Sequence, residues 1–190
     1  MKQTLKMCAP YFAVGVFWCL LSNAWLTILA YHVQILLWSR KSLSDMRWPA
    51  RNLFMLLALP SALAGPLSYF LLPYIVHTDL STWLASHHVS RLSLTMMIPC
   101  FGLLHPFLEQ LHWAELREST SLSHMFFAGY HMLVLYSLLT IPWLILCFVV
   151  LVTMSFMWQQ MTIRSNSIAV AFASHVLADL GIIIAAWWRM

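Results

Sequence analysis

From Met125 to Trp158 the chain carries no Asp, Glu, Lys or Arg. A membrane crossing takes about 20 mainly apolar residues, so this run is too long for one helix. Pro142, in "TIPW", lacks an N–H and clashes with a preceding turn. It divides the run into spans expected near 123–140 and 142–158.

The same texture recurs along the whole sequence. Of the 190 residues, 62% are hydrophobic and 8% charged, against about 25% charged in soluble domains. Too few polar side chains exist to clothe a water-exposed globule. The expectation is an integral, multi-pass membrane protein, placed in the plasma (inner) membrane if bacterial. Its fold class is all-α, a polytopic transmembrane helix bundle of about six spans. The first span is Pro10 to Trp38, read as a retained helix because the apolar run exceeds a signal core of roughly 7–15 residues. A second covers about Asn52 to Val76, with kinks expected at Pro60, Pro66 and Pro73. A third runs from about Ser90 to Leu108, and a sixth from Ile168 to Trp188, with Ser165, Asn166 or Ser167 as its N-cap. Residues 109–120, "EQLHWAELREST", are expected as an interfacial helix. Residues 1–190 form one membrane domain, with 1–89 as accessory spans and 90–190 as the motif-bearing core.

The net charge of +4 has no basic stripe behind it, so nucleic acid is not an expected partner. Lys and Arg bear on orientation instead. Arg40, Lys41, Arg47 and Arg51 put the first loop on the cytoplasmic side, with Arg117 and Arg164 on that same side. The N-terminal Lys2 and Lys6 oppose that scheme. Cys8, Cys19, Cys100 and Cys147 lie in apolar stretches without ligand spacing, so neither a disulfide framework nor a zinc knuckle is implied.

Ionisable groups inside a membrane span are costly and are functional candidates when a partner can be named. Asp179 sits within the last span, and His175 stands one turn before it on the same helix face. Phe127 and His131 repeat that spacing in the fourth span, beside Gly129. At the end of the third, His105, Glu109 and His112 share one face. Glu109-x-x-His112 is half of a di-iron motif, which needs a second copy and two further Glu. No second Glu-x-x-His occurs, and Glu115 and Glu118 lie in a segment that can reach water, so no metal and no cofactor are expected.

Glu109, then Phe127-x-x-x-His131, then His175-x-x-x-Asp179 form an ordered series, each in or beside a span. This series resembles the CPBP family, the CAAX protease and bacteriocin-processing intramembrane proteases. That family's pattern is EExxxR, FxxxH and HxxxN or HxxxD. The likeness covers about residues 95–188, and the stretch "RSNSIAVAFASHVLADLGI" carries it best. The first motif departs from the pattern. Gln110 replaces the second Glu, Ala114 holds the Arg position, and Arg117 lies one turn further on.

The resemblance implies a glutamic-type intramembrane protease acting on a membrane-associated or lipid-modified protein or a leader peptide. Amide hydrolysis in a dry cavity needs a held water, a base and donors for the oxyanion. The implied roles are Glu109 as base, His131 as water-positioning or proton-passing group, and His175 as oxyanion or leaving-group donor. Asp179 fixes the His175 tautomer or, if protonated, forms part of the oxyanion site. Three rivals remain: a non-catalytic member that binds membrane peptides, a bis-His haem-b protein using His131 and His175, and a transporter, since proline-broken helices and buried carboxylates also suit proton coupling.

Overall fold

The computed structural model describes residues 2–39, 46–48 and 51–190. Most of the charged loop, including Arg40, Lys41 and Asp45, lies outside the described residues. The described fold is all-α. Where no water reaches the backbone, helices satisfy N–H and C=O groups within the segment itself.

The first apolar run is not one helix. Helix α1 (Lys2–Ala13) passes into a π-helical stretch, Val14–Leu20, and α2 begins anew at Ala24 and ends at Trp38. Ser22 takes a left-handed φ of 49°. The Asn23 side chain then accepts from Leu26 N at 3.0 Å, which caps α2. Polar Ser22 and Asn23 thus interrupt a run that hydropathy alone reads as continuous.

Helix α3 (Arg51–Leu57), a 3-10 turn (Leu59–Leu63) that contains Pro60, and α4 (Ala64–Ile75) follow. Short α5 (Leu80–Ser86) is capped by Asp79, whose carboxylate accepts from Thr82 N at 2.9 Å. Those Thr82 hydrogen bonds hold the exposed Asp79 carboxyl below its ordinary range.

Helix α6 (Arg91–Pro99), a π segment (Cys100–Leu104) and α7 (His105–Ser119) form one continuous rod. The expected interfacial helix at 109–120 is instead the buried second half of that rod. Glu109, Gln110, His112 and Arg117 are all buried there. Arg117 is therefore a core group rather than a loop charge. Helices α8 (Leu122–Leu135), α9 (Ile141–Ser165) and α10 (Ala169–Arg189) complete the bundle. Asn166 does not start α10. It ends α9 in a left-handed conformation at φ 48°, and Ser167 Oγ accepts from Ala169 N at 3.1 Å.

Among the described residues, four helical segments are long and apolar enough to cross a membrane: Phe54–Ile75, Arg91–Ser119, Ile141–Ser165 and Ala169–Arg189. They divide by burial. Phe54–Ile75 and Ile141–Ser165 carry exposed Leu56, Phe70 and Ile145 and are compatible with a hydrocarbon surround. Arg91–Ser119 and Ala169–Arg189 are the more buried pair, and these hold Glu109, His175 and Asp179.

Helices α4 and α10 meet backbone to backbone. A Cβ on Gly65 would lie 2.8 Å from Gly181 Cα, and one on Gly181 would lie 2.8 Å from Gly65 N. Small residues at such a crossing let helices approach closely. Ser61 Oγ, in the 3-10 turn that leads into α4, lies 2.6 Å from Ser174 Oγ and ties that turn to α10. Gly181→Val should therefore destabilise the bundle by about 1–3 kcal/mol through overpacking. Gly15→Ala, which meets nothing within 4 Å, should stay within about 0.5 kcal/mol. Tryptophan fluorescence during thermal unfolding in detergent reads both.

Candidate active site

Glu109 sits in the middle of the 91–119 rod with no exposed surface. Its Oε1 accepts from the Tyr31 hydroxyl of α2 at 2.5 Å and from the Tyr130 hydroxyl of α8. Its Oε2 has no hydrogen-bond partner. Facing Oε2 at 3.6 Å are His105 Nε2, one turn earlier in α7, and His175 Nε2 of α10. Asp179 Oδ2 lies 3.4 Å from the same His175 Nε2. Glu109, His175 and Asp179, separate in sequence, thus share one buried cluster.

His131 joins that cluster through a neighbour. Its Nδ1 donates to Phe127 O at 2.8 Å, and its Nε2 is 3.1 Å from the Tyr130 hydroxyl that reaches Glu109. Phe127, fully buried, sets its ring 4.8 Å from His131 and 6.3 Å from His175. The Phe-x-x-x-His spacing therefore does two things. It orients His131 through a backbone carbonyl, and it sets one apolar ring against both imidazoles.

Proton accounting fixes the tautomer of His175. Arg117 Nη1 donates to Gln110 Oε1 at 3.0 Å, and a guanidinium can only donate. The Gln110 amide must then turn Nε2 toward His175 Nδ1, 3.1 Å away. Nδ1 accepts, so the ring hydrogen resides on Nε2, aimed between Glu109 and Asp179. The ring also stacks on Trp158, at 4.1 Å between centroids. Sequence reasoning gave tautomer control to Asp179. Here Gln110 governs Nδ1, and Asp179 shares the Nε2 edge with Glu109.

The other imidazole facing Oε2 meets a second buried imidazole: His32 Nε2 and His105 Nδ1 are 3.2 Å apart, and either nitrogen can hold the shared hydrogen. Hydroxyls and imidazole edges from α2, α7, α8 and α10 thus form a ring around the carboxylate. His112 takes no part in this ring. It packs edge-on against Trp113, and its Nε2 has no hydrogen-bond partner.

The sequence alone assigns no role to Tyr31, His32 or Tyr130, marks Gln110 as a departure from a motif, and marks Arg117 as an orientation charge one turn beyond that motif. Arg117 is held by Gln110, by Ser155 Oγ at 3.0 Å, and over the Phe127 and Trp158 rings at 5.6 and 5.5 Å. Asp179 is more open than Glu109 or His175, with 13% side-chain exposure against 0% and 4%. Among the described residues no group of three or more His, Cys, Asp or Glu has the arrangement of a metal site.

In comparisons with known proteins, no family model, no curated protein and no solved structure matches this chain.

Gln110→Glu tests the tautomer argument. A carboxylate at position 110 can only accept, so His175 must carry a hydrogen on Nδ1. Nitrogen-15 spectra of the histidine rings should show His175 Nδ1 bare in the parent and protonated in the variant. An unchanged His175 signal would contradict the assignment.

Proposed function

We propose that this protein is an intramembrane peptide hydrolase in which Glu109 activates water, as the resemblance to the CPBP family implies. The observation that carries the reading is the unpartnered Oε2 of a fully buried carboxylate, faced by two imidazole Nε2 atoms at 3.6 Å. A general base needs an acceptor within reach of the proton it removes. Oε1 is occupied by two tyrosine hydroxyls, which leaves Oε2 for that task.

The step is an attack of water on a peptide carbonyl. Glu109 Oε2 takes one proton as the oxygen–carbon bond forms and the carbonyl π pair moves onto oxygen. The Nε2–H of His175 then donates to the oxyanion, in a site where burial strengthens each such contact. Collapse of the intermediate breaks the C–N bond, and the proton held by Glu109 passes to the leaving amine. Asp179, more exposed than Glu109 or His175, lines the side from which a peptide would enter. A protonated Asp179 adds a second donor; an ionised one can only accept.

The bundle of this reading has six crossings. Helices α2 and α8, the shorter apolar helices, complete it with their flanking turns. At about 1.5 Å per residue each is about 20 Å long, shorter than the hydrocarbon core. The bilayer would thin over them and bring the aqueous boundary nearer the site. The proposed substrate is a membrane-associated or lipid-modified protein, or a leader peptide.

One observation favours a second reading. Gln110 stands where the family pattern has a carboxylate, as in a member that binds membrane peptides without cutting them. The haem alternative fits less well. Both ring nitrogens of His131 are engaged, and the Phe127 ring packs against both imidazoles.

Proteoliposomes carrying the purified chain and a panel of prenylated and leader-type peptides test the proposal, with fragments read by mass spectrometry. The wild type should release defined fragments, and Glu109→Gln should slow their release by at least about 100-fold. Equal rates in both would refute the role of Glu109. Binding without cleavage by the wild type would favour the second reading.

A further inference from the structure

Two tyrosines donate to Glu109 Oε1, but only one of them leads anywhere. The Tyr31 hydroxyl accepts from Trp113 Nε1 at 2.9 Å. An indole N–H neither takes up nor releases a proton in this role, so that branch is closed. The Tyr130 hydroxyl instead adjoins His131 Nε2 at 3.1 Å.

The hydrogens around Tyr130 can be counted. Phe127 O is an acceptor, so His131 Nδ1 must carry a hydrogen. Tyr130 has one hydroxyl hydrogen and two candidate acceptors, Glu109 Oε1 and His131 Nε2. Suppose Glu109 is ionised and takes that hydrogen. A bare Nε2 would then confront the tyrosine oxygen lone pair to lone pair, so Nε2 must carry a hydrogen and His131 is an imidazolium. Suppose instead that His131 is neutral and takes the hydroxyl hydrogen. Glu109 Oε1 must then be protonated and donate to Tyr130. The two arrangements differ by one proton moved along the line Oε1, tyrosine oxygen, Nε2.

We propose that Tyr130 is a proton carrier that passes one proton between Glu109 and His131, so that His131 stores the proton while Glu109 acts as base. This rests on the hydrolase reading for its purpose, though not for its geometry. In the forward direction the Oε1–H bond breaks as a new O–H bond forms on Tyr130. The original Tyr130 O–H bond breaks as the Nε2–H bond forms. No charge enters or leaves the pair. The product is the carboxylate whose Oε2 can accept from water.

The surroundings suit a proton confined to this line. Groups around the pair are His105, Arg117, Tyr31, His32, His175 and Asp179 on α7, α2 and α10, with Tyr11 of α1 edge-on to Tyr130 at 6.5 Å. The Tyr11 hydroxyl is spent on Phe126 O at 3.0 Å. Tyr130 itself is buried, so water does not offer a competing path at its hydroxyl. His131 becomes useful at a distance from Oε2 because Tyr130 extends its reach to the other carboxylate oxygen.

Tyr31→Phe and Tyr130→Phe each delete one hydroxyl from the same carboxylate oxygen, and only the second cuts the line. Ring nitrogen-15 spectra give the readout that does not depend on activity. Glu109→Gln should change the protonation signature of His131 Nε2 in the parent and in Tyr31→Phe. In Tyr130→Phe the same substitution should leave it unchanged. An undiminished response in Tyr130→Phe, or no response in the parent, overturns the proposal. With a peptide the parent cleaves, Tyr130→Phe should lose about 100-fold in rate and alter the acid limb of the pH profile. Tyr31→Phe should lose about tenfold or less and keep that limb. Equal losses with one shared profile would overturn it as well. A parent that cleaves no peptide would refute the hydrolase reading, while the spectra would still decide the proton carrier.

Discussion

A carboxylate with no exposed surface, in the middle of an apolar bundle, is the constraint to which the rest of this structure answers. An isolated buried charge costs several kcal/mol even after relaxation. Glu109 meets part of that cost through two hydroxyls that donate to Oε1, while two imidazole edges stand 3.6 Å from the unpartnered Oε2. Those donors come from both halves of the chain. Tyr31 of α2 is as much a part of the carboxylate's surroundings as His175 of α10. The close packing of α10 on α4 at Gly65 and Gly181 holds α10, and with it His175 and Asp179, in place.

A second buried charge balances the first. Arg117, 3% exposed, has no carboxylate in direct contact among the described residues. Its hydrogen bonds go to Ser155 and to Gln110, and through Gln110 to His175. A neutral amide thus stands between the cation and the imidazole. The consequence is directional. Because the amide is oriented by Arg117, His175 is obliged to be a donor toward Glu109 and Asp179 rather than an acceptor. Gln110 gives His175 a defined chemical sense.

Much of this was legible because charged residues are rare in apolar runs. Glu109 and Asp179 stood out on that ground alone, and one-turn spacings gave His175 and His131 their places. What escaped was of two kinds. Tyr31 and Tyr130 are amphipathic rings common in membrane helices, so nothing in their residue type marks a hydroxyl aimed at a carboxylate. Arg117 read as a loop charge because its segment "EQLHWAELREST" is polar on average. That polarity serves the bundle interior, not an interface. Helix breaks followed a similar division. Pro142 was a clear signal, and α9 begins beside it. Ser22 and Asn23 carried a cap signal that the surrounding hydrophobicity masked. The π segment before His105 lies between Pro99 and Pro106, and such bulges recur at functional sites.

The central physical claim is that Glu109 and its donors are energetically one unit. A double-mutant cycle on unfolding free energy in detergent, pairing Glu109→Gln with Tyr31→Phe, measures it directly. Tyr31 lies seventy-eight positions away in sequence, so helix propensity cannot produce a coupling between them. The account predicts a coupling of about 1–3 kcal/mol. Additive effects, within about 0.5 kcal/mol, would mean that the two groups do not share a site.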